Sequence, residues 1–151
     1  MTQDFKGTLN GQTQTSGAWT PAVRGDSTAG TYELAVATTA RYVKTGILVT
    51  LHASITLAGS VTGGGTGNLQ ITGIPFTKAN NSVWAEGSVW TSGVDLTAGT
   101  ISLSIGFVGT TEVQILVFFE THDDAAATNT PISGVSANDL ISFTITYEAS
   151  S

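Results

Sequence analysis

Apolar and polar residues alternate with a period of two in three long segments of the chain. In GILVTLHASITLAG (46–59), apolar residues occupy one face, while threonine, serine and histidine occupy the other. The segments TISLSIGFVG (100–109) and LISFTITYE (140–148) alternate in the same way. Because successive side chains of a β-strand point to opposite faces of a sheet, each segment is predicted to be a half-buried strand. The residues predicted to be buried are Ile47, Val49, Leu51, Ala53, Ile55 and Leu57, then Ile101, Leu103, Ile105 and Phe107, then Ile141, Phe143, Ile145 and Tyr147.

Weaker alternation predicts further strands, and no segment shows a sustained helical period with a cap. Glycine-containing turn signals such as KTG (44–46) and GGGTG (63–67) separate the candidates. About eight short strands in one domain are typical of a sandwich, a jelly roll or a barrel. We expect an all-β fold, a single antiparallel jelly-roll or β-sandwich domain over residues 19–151. The additional strands are predicted at 31–37, 40–44, 68–72, 82–91 and 113–119.

The strand predicted at 113–119 is apolar on both faces. A strand with one solvated face alternates cleanly, so the second face here must be covered as well. Either a loop of the same chain or a subunit interface would cover it, and the pattern leaves both open. In the interface hypothesis, Leu116 and Phe118 contact another copy together with Trp84 and Trp90, which share a face of another predicted strand. A single-chain core explains the two tryptophans nearly as well.

The first eighteen residues are polar, and Phe5 and Leu9 are the large apolar residues that could anchor them. Such a segment buries too little apolar surface to fold alone, so we interpret residues 1–18 as an N-terminal arm. Fixing the backbone costs about 1–2 kcal/mol per residue. Burying one Phe and one Leu returns only about 3–6 kcal/mol. The hypothesis is that Phe5 and Leu9 anchor an arm that adds a strand to the sheet edge of a neighbouring protein or of an adjacent copy.

Composition and charge narrow the classes of partner. The formal net charge is −6 and the five basic residues are scattered, so we expect no binding of nucleic acid. The absence of cysteine excludes disulfides, thiolate metal sites and cysteine nucleophiles. No apolar run is long enough to span a membrane and no signal peptide is recognisable, so we expect a soluble protein without membrane contact. Only 11% of residues are charged, which fits a protein packed into an assembly or a sheet exposing threonine and serine.

Candidate chemistry is sparse. The stretch FETHDDA brings Glu120, His122, Asp123 and Asp124 together, and oxygen-rich clusters can bind calcium. The run is short and lacks the spacing of a calcium-binding loop, so we interpret it as a solvated acidic loop and expect no metal. His52 lies on the polar face of its strand, and nothing marks out a nucleophile or an orienting carboxylate for it. We therefore expect no catalytic residues, no cofactor and no enzymatic activity.

Several short motifs follow one another over most of the chain, namely GAWTP (17–21), GTY (30–32), YVKTGILVT (42–50), ITGIPF (71–76) and FTITY (143–147). Their order and spacing resemble a jelly-roll-like domain of tailed-bacteriophage virion proteins, which occurs in capsid decoration (cement) proteins and in tail-fibre tips. Under this resemblance Pro75 stops strand pairing and Phe76 closes the end of the core. In fibres the domain usually follows a long shaft, whereas only about eighteen residues precede Trp19 here.

The resemblance implies a structural role in a virion. We expect a capsid decoration protein that stabilises the assembled head, since a ligand that binds only the assembled shell opposes its disassembly. Its expected partners are the major capsid protein and itself, as a homotrimer, on the capsid exterior after assembly in the bacterial host cytoplasm. The alternative is a short tail-fibre tip that recognises a host glycan or protein, which tryptophans on an exposed face would favour. Such scaffolds host several functions, so the sequence leaves both open.

Overall fold

The computed structural model describes residues 5–9, 11–81, 84–107, 114–123 and 125–150. Within these residues the regular structure consists of eleven β-strands and one 3₁₀ turn, Ile132–Gly134. No helix in the described part of the chain is long and apolar enough to cross a membrane. The strands are β1 Phe5–Leu9, β2 Gln12–Ala18, β3 Ala22–Gly25, β4 Thr39–Thr45, β5 Leu48–Thr56, β6 Leu69–Thr72, β7 Glu86–Ser92, β8 Thr100–Phe107, β9 Leu116–His122, β10 Ala125–Asn129 and β11 Leu140–Glu148.

All eleven strands belong to one antiparallel sheet that curls around a single core. Along the sheet the order is β1-β2-β4-β5-β11-β7-β8-β9-β6-β3, and β10 pairs with β9. Residues from both halves of this order, such as Leu51 of β5 and Leu69 of β6, are buried in the same cluster. The two halves therefore face each other across the core, as in a β-sandwich. The predicted all-β, antiparallel, single-domain fold is confirmed.

The alternation in β5 and β11 directs their odd-numbered residues into the core. Every odd-numbered residue from Val49 to Ile55 and from Ile141 to Tyr147 is buried, as predicted. The prediction for Ile47 is wrong, because this residue lies in the turn before β5 and is exposed. Gly46 makes that turn with a φ of 58°. The period of two therefore holds wherever the backbone stays paired.

A β-bulge in β8 removes Ile101 from the core. Ile101 is 67% exposed, so the prediction that it is buried is wrong. The pairing of β8 with β9 shifts register between Thr100 and Ser102, which leaves Ile101 without a residue opposite it. A bulge inserts one residue and changes the face on which the preceding side chains lie. Ile105 and Phe107, which follow the bulge, are buried as predicted.

Seven of the eight predicted segments correspond to strands, namely β4 to β9 and β11. The predicted strand at 31–37 is wrong, because this segment makes isolated bridges at Thr31 and Leu34 and no continuous ladder. Four strands were not predicted: β1, β2, β3 and β10. Segments such as AAATN in β10 carry no alternating apolar face, and backbone pairing with a neighbouring strand defines them.

The proline at position 75 follows a sharp turn at the end of β6. Gly73 makes this turn with a φ of 83°. A β-carbon there would clash with the carbonyl oxygen of Thr20, so glycine is required. Phe76 then packs edge-on against Tyr42, with ring centroids 5.0 Å apart. The carbonyl oxygen of Phe76 accepts a hydrogen bond from the Tyr147 hydroxyl at 2.7 Å. Pro75 thus separates β6 from a phenylalanine that packs against the end of the core.

Residues 5–18 extend one edge of the sheet. β1 and β2 form a hairpin, and β2 pairs with β4 from Gln14 to Ala18. The neighbour that orders this segment is therefore the same chain. The predicted side-chain contacts of Phe5 and Leu9 lie outside the described residues. Within the described part of the chain β1 has a partner on one side only, so its other edge is open.

Leu116 and Phe118 are buried inside the single chain, with exposed fractions of 0% and 1%. They lie opposite Phe107 and Ile105 of β8, on the inner face of the sheet. The hypothesis that these two residues form a subunit interface is wrong, because the core of the same chain covers them. Val117, on the opposite face of β9, is buried as well.

Replacing Phe118 by Asp should therefore unfold the monomer rather than separate subunits. The variant loses the packing of the ring and places an unpaired carboxylate in the core, so the free energy of unfolding should fall by about 4 kcal/mol or more. Urea unfolding monitored by tryptophan fluorescence measures this change. Ile101→Asp, at an exposed position of β8, is the matched control and should cost less than about 1 kcal/mol. A folded but dissociated Phe118→Asp variant would contradict the core position.

Candidate functional site

The outer surface of the three central strands, β5, β11 and β7, is a continuous polar face. Even-numbered residues of β5 and β11 point away from the core because their odd-numbered neighbours fill it. The register places Trp90 of β7 beside Ser142 of β11, and Ser142 beside Ser54 of β5. We call this surface the hydroxyl face; it consists of Thr50, His52, Ser54, Ser88, Trp90, Ser142, Thr144 and Thr146.

Hydrogen bonds between strands fix the side chains of the hydroxyl face. The hydroxyl oxygens of Thr50 and Thr146 are 2.9 Å apart, and His52 Nδ1 lies 3.1 Å from Thr144 Oγ1. Ser142 donates to a carbonyl oxygen of β5 at 3.2 Å. Such cross-strand pairs stabilise a sheet modestly and hold its side chains in defined positions. His52 is therefore one member of a surface ladder that joins β5 to β11.

Trp84 and Trp90 lie on the surface, with exposed fractions of 62% and 59%. The interpretation of these two residues as part of a single-chain core is therefore wrong. Trp84 precedes β7, whereas Trp90 lies within it, and Glu86 begins the strand between them. A tryptophan side chain removes about 150–250 Å² from water when it is fully covered. This side of the molecule thus exposes two large aromatic groups that the fold itself leaves uncovered.

A hollow of about 190 Å³ lies beside Trp84. Its side chains come from the ends of β5 and β11 and from the segment before β7. The hollow combines aromatic and aliphatic side chains with four polar ones, the composition expected of a small ligand site. We call it the Trp84 hollow; it is lined by Leu48, Lys78, Asn81, Trp84, Ala85, Thr146, Tyr147 and Glu148.

A hydrogen-bonded chain joins the charged groups of the Trp84 hollow. Lys78 is a buried residue, 3% exposed, and its ammonium donates to the carbonyl oxygen of Ala79 at 3.0 Å and to Asn81 Oδ1 at 3.1 Å. Asn81 Nδ2 in turn donates to Glu148 Oε2 at 2.7 Å. A buried cation needs such partners because an unpaired charge is costly to remove from water. This series of hydrogen bonds fixes the Glu148 carboxylate beside the hollow.

A second hollow, also of about 190 Å³ and more open, lies beside Trp90 between β7 and β11. Its polar side chains are those of Ser88, Ser142 and Thr144. Ser142 of this hollow and Thr146 of the Trp84 hollow are four residues apart in β11, a distance of about 14 Å. One extended ligand, or one protein surface, can therefore cover both hollows.

Glu120 lies in the core, not in a solvated loop. It is 0% exposed on the inner face of β9, in phase with Leu116 and Phe118. Its Oε2 accepts hydrogen bonds from the backbone N–H of Thr97 at 3.1 Å and from Thr100 Oγ1 at 3.0 Å. The prediction of a solvated acidic loop is wrong for this residue, because the period of two continues through it and turns the carboxylate inward.

The described residues of the acidic run do not assemble a metal site with Glu120. His122 Nε2 lies 3.0 Å from Thr128 Oγ1 and 3.8 Å from Glu120 Oε2, and Asp123 is exposed. Asp124 lies outside the described residues. Among the residues that the structure describes, no group of three His, Asp or Glu side chains could hold a metal ion.

Hydrogen bonding keeps the Glu120 carboxylate charged. Burial by itself would raise the pKa of Glu120, but the hydrogen bonds from Thr97 and Thr100 outweigh burial and lower the pKa below its ordinary value. The charged carboxylate therefore ties the segment before β8 to the inner face of β9.

Sequence patterns alone missed the polar groups of the Trp84 hollow. Lys78 and Asn81 lie in a loop without a motif, and Glu148 follows Asn81 by 67 residues. Only the folded sheet brings these side chains together. For Glu120 a signal was present, because it continues the period of two that begins at Leu116.

No protein-family model and no curated protein matches the chain. Among solved structures, the fold is similar to part of the crystal structure of the Dettilon tailspike protein, with a TM-score of 0.72 and 16% sequence identity. The match covers 91% of this chain and 24% of the tailspike chain, so this chain spans about a quarter of that protein. At this identity the likeness establishes a shared fold.

Acidification should destabilise the protein through Glu120. Because the pKa of Glu120 is lowered in the folded chain, its stabilisation is present above the unfolded-state pKa and is lost as the pH falls through the folded-state pKa. The melting temperature should drop between about pH 6 and about pH 3, and Glu120→Gln should flatten that drop. Glu33→Gln, at an exposed position, is the control and should follow the wild-type profile. A Glu120→Gln profile parallel to the wild type would contradict this role.

Proposed function

We propose that this chain is a structural protein of a bacteriophage virion and that its hydroxyl face, together with Trp84, binds the surface of the host cell. The likeness of nearly the whole chain to part of a tailspike protein supports a place in the virion. The proposed role is one of binding, and it requires neither a cofactor nor catalysis.

The exposure of Trp84 and Trp90 on one side of the molecule carries this proposal. Leaving two indoles in water forgoes about 25 cal/mol for each Å² that burial would cover. Tryptophan is enriched among the residues that contribute most to binding energy. The hydroxyl groups and the two hollows around these side chains supply polar contacts that a receptor needs. The hydroxyl face, Trp84 and the two hollows therefore support a receptor-binding role.

Capsid decoration is the second candidate function, and the open edge of β1 favours it. An exposed strand edge can accept a strand from another chain. In this role β1 pairs with the major capsid protein or with an adjacent copy on the exterior of the head. The segment that contains Phe5 and Leu9 then provides the attachment, and the hydroxyl face points away from the shell.

The homotrimer stays a prediction. Burial of Leu116 and Phe118 removes one of its two grounds, and the resemblance to a jelly-roll domain of virion proteins is the other. Trp84 and Trp90 are exposed and available for a self-contact, as are three apolar residues near the β4–β5 turn. These residues are Val43, Ile47 and Leu48. Light scattering of the purified chain should give three times the mass of one chain, and a monodisperse monomer would count against the trimer.

A binding experiment with two baits, host cells and assembled phage heads, distinguishes the two functions. Replacing both Trp84 and Trp90 by alanine should weaken binding to cells at least about tenfold, because the aromatic contacts are lost. The melting temperature should stay close to that of the wild type, since both side chains are exposed. Ile101→Ala removes an exposed apolar side chain outside both hollows and is the matched control. Cell binding that survives the double substitution would exclude this face as the receptor site.

Deletion of residues 2–9 completes the same experiment. It removes β1 and leaves β2 paired with β4, so the domain should stay folded and cell binding should be unchanged. If the chain decorates capsids through β1, the deletion abolishes binding to phage heads. Head binding by the truncated chain with unchanged affinity would exclude β1 as the attachment.

A further inference from the structure

We propose that the Trp84 hollow holds one ring of an uncharged oligosaccharide, whose neighbouring rings extend along the hydroxyl face to Trp90. This inference rests on the proposed host-surface function and names its class of ligand. It follows from the size of the two hollows, their side chains and the charges around them.

The size of the hollows favours an extended ligand. The Trp84 hollow measures about 190 Å³, less than the roughly 300–1,000 Å³ of sites that enclose a whole small ligand. The hollow beside Trp90 has the same volume and lies about 14 Å further along β11. Two similar, separate hollows fit a chain of similar units better than one compact molecule.

The lining of the Trp84 hollow suits both the apolar C–H groups and the hydroxyl groups of a sugar ring. An exposed indole is a flat apolar surface with a polar N–H, and the C–H groups on one side of a sugar ring can pack against it. Thr146 offers a hydroxyl group, and the Glu148 carboxylate offers a charged acceptor for hydroxyl donors. Hydrogen bonds to charged acceptors are stronger than those between neutral groups.

The Glu148 carboxylate is positioned before any ligand binds. Its Oε2 accepts a hydrogen bond from Asn81 at 2.7 Å, and Asn81 is itself held by the buried Lys78. The second carboxylate oxygen keeps its capacity to accept from a ligand hydroxyl. Fixing a contact group in advance lowers the entropic cost of binding.

The charges around the hollow select against acidic ligands. Glu148 lies in the hollow, Glu86 is exposed at the start of β7, and the chain has a net charge of −6. The cation in the lining of the hollow, Lys78, is buried, with its ammonium bonded to Ala79 and Asn81. Bringing like charges together opposes association. A neutral glycan therefore binds better than one that carries carboxylates or phosphates.

An array of immobilised bacterial oligosaccharides, with neutral members and members that contain uronic or sialic acids, tests the inference with the full chain. Neutral members should bind, and acidic members of similar length should bind at least about tenfold more weakly. Trp84→Ala should weaken binding to the neutral members at least about tenfold. Val36→Ala truncates a fully exposed apolar side chain outside both hollows and should bind like the wild type.

A spectroscopic readout checks the site independently of affinity. The strongest neutral oligosaccharide from the array, added to the wild type, should shift the indole N–H resonances of Trp84 and Trp90 in NMR spectra. The resonance of Trp19, whose indole N–H is bonded to a backbone carbonyl oxygen in the protein, should stay in place. Unchanged near-UV circular dichroism of Trp84→Ala shows that the fold is intact.

The contrary outcomes have different meanings for the proposed function. Stronger binding to acidic members overturns the ligand class and keeps a glycan receptor. No binding to neutral members, with cell binding that still requires Trp84, overturns the glycan and leaves a protein receptor. Glycan binding that Trp84→Ala leaves intact overturns the hollow as the site. If the wild-type chain binds neither the oligosaccharides of the array nor host cells, the proposed function is overturned as well.

Discussion

The pairing of β5 with β11 is the interaction on which the rest of the structure depends. Nine consecutive residue pairs join these two strands at the centre of the sheet. Inside, the pairs place Leu51 beside Ile145 in the core, and outside they place Thr50 beside Thr146. A shift of one residue would exchange the two faces. One register therefore determines both the apolar core and the hydroxyl face that carries the candidate site.

Two buried charges restrict the loops beside this sheet. Glu120 holds the segment before β8 to β9 through Thr97, whereas the ammonium of Lys78 bonds to Ala79 and Asn81 within its own loop. A buried charge is costly unless it is hydrogen-bonded, so each loop is restricted to the position that keeps the bonds to Glu120 Oε2 or to the Lys78 ammonium. Glu120 Oε1 has no hydrogen-bond partner among the described residues. The rim of the Trp84 hollow is a product of this restriction, because Asn81 also reaches Glu148 at the end of β11.

The sequence predicted those strands in which apolar and polar residues alternate within the strand itself. The alternation identified β5 and β11 residue by residue, but the bulge at Ile101 and the polar strand β10 depend on backbone pairing with neighbours. An apolar pattern such as that around Phe118 is the same in a core and at an interface, so the sequence could not separate the two. For the candidate site, the sequence left Trp84 open between a contact surface and the core, and its exposure in the fold excludes the core. The polar groups of its hollow come from distant segments, and their approach is a property of the fold alone.

The central position of β11 also affects how the chain folds during synthesis. β11 follows the other ten strands along the chain, yet it lies between β5 and β7. Until it is made, both neighbours present open edges and uncovered apolar faces. Long-range pairing of this kind is slow and leaves intermediates prone to aggregation. A nascent chain that stops before residue 140 thus lacks the strand beside Leu51 and Ile55, and these core residues stay uncovered until synthesis is almost complete.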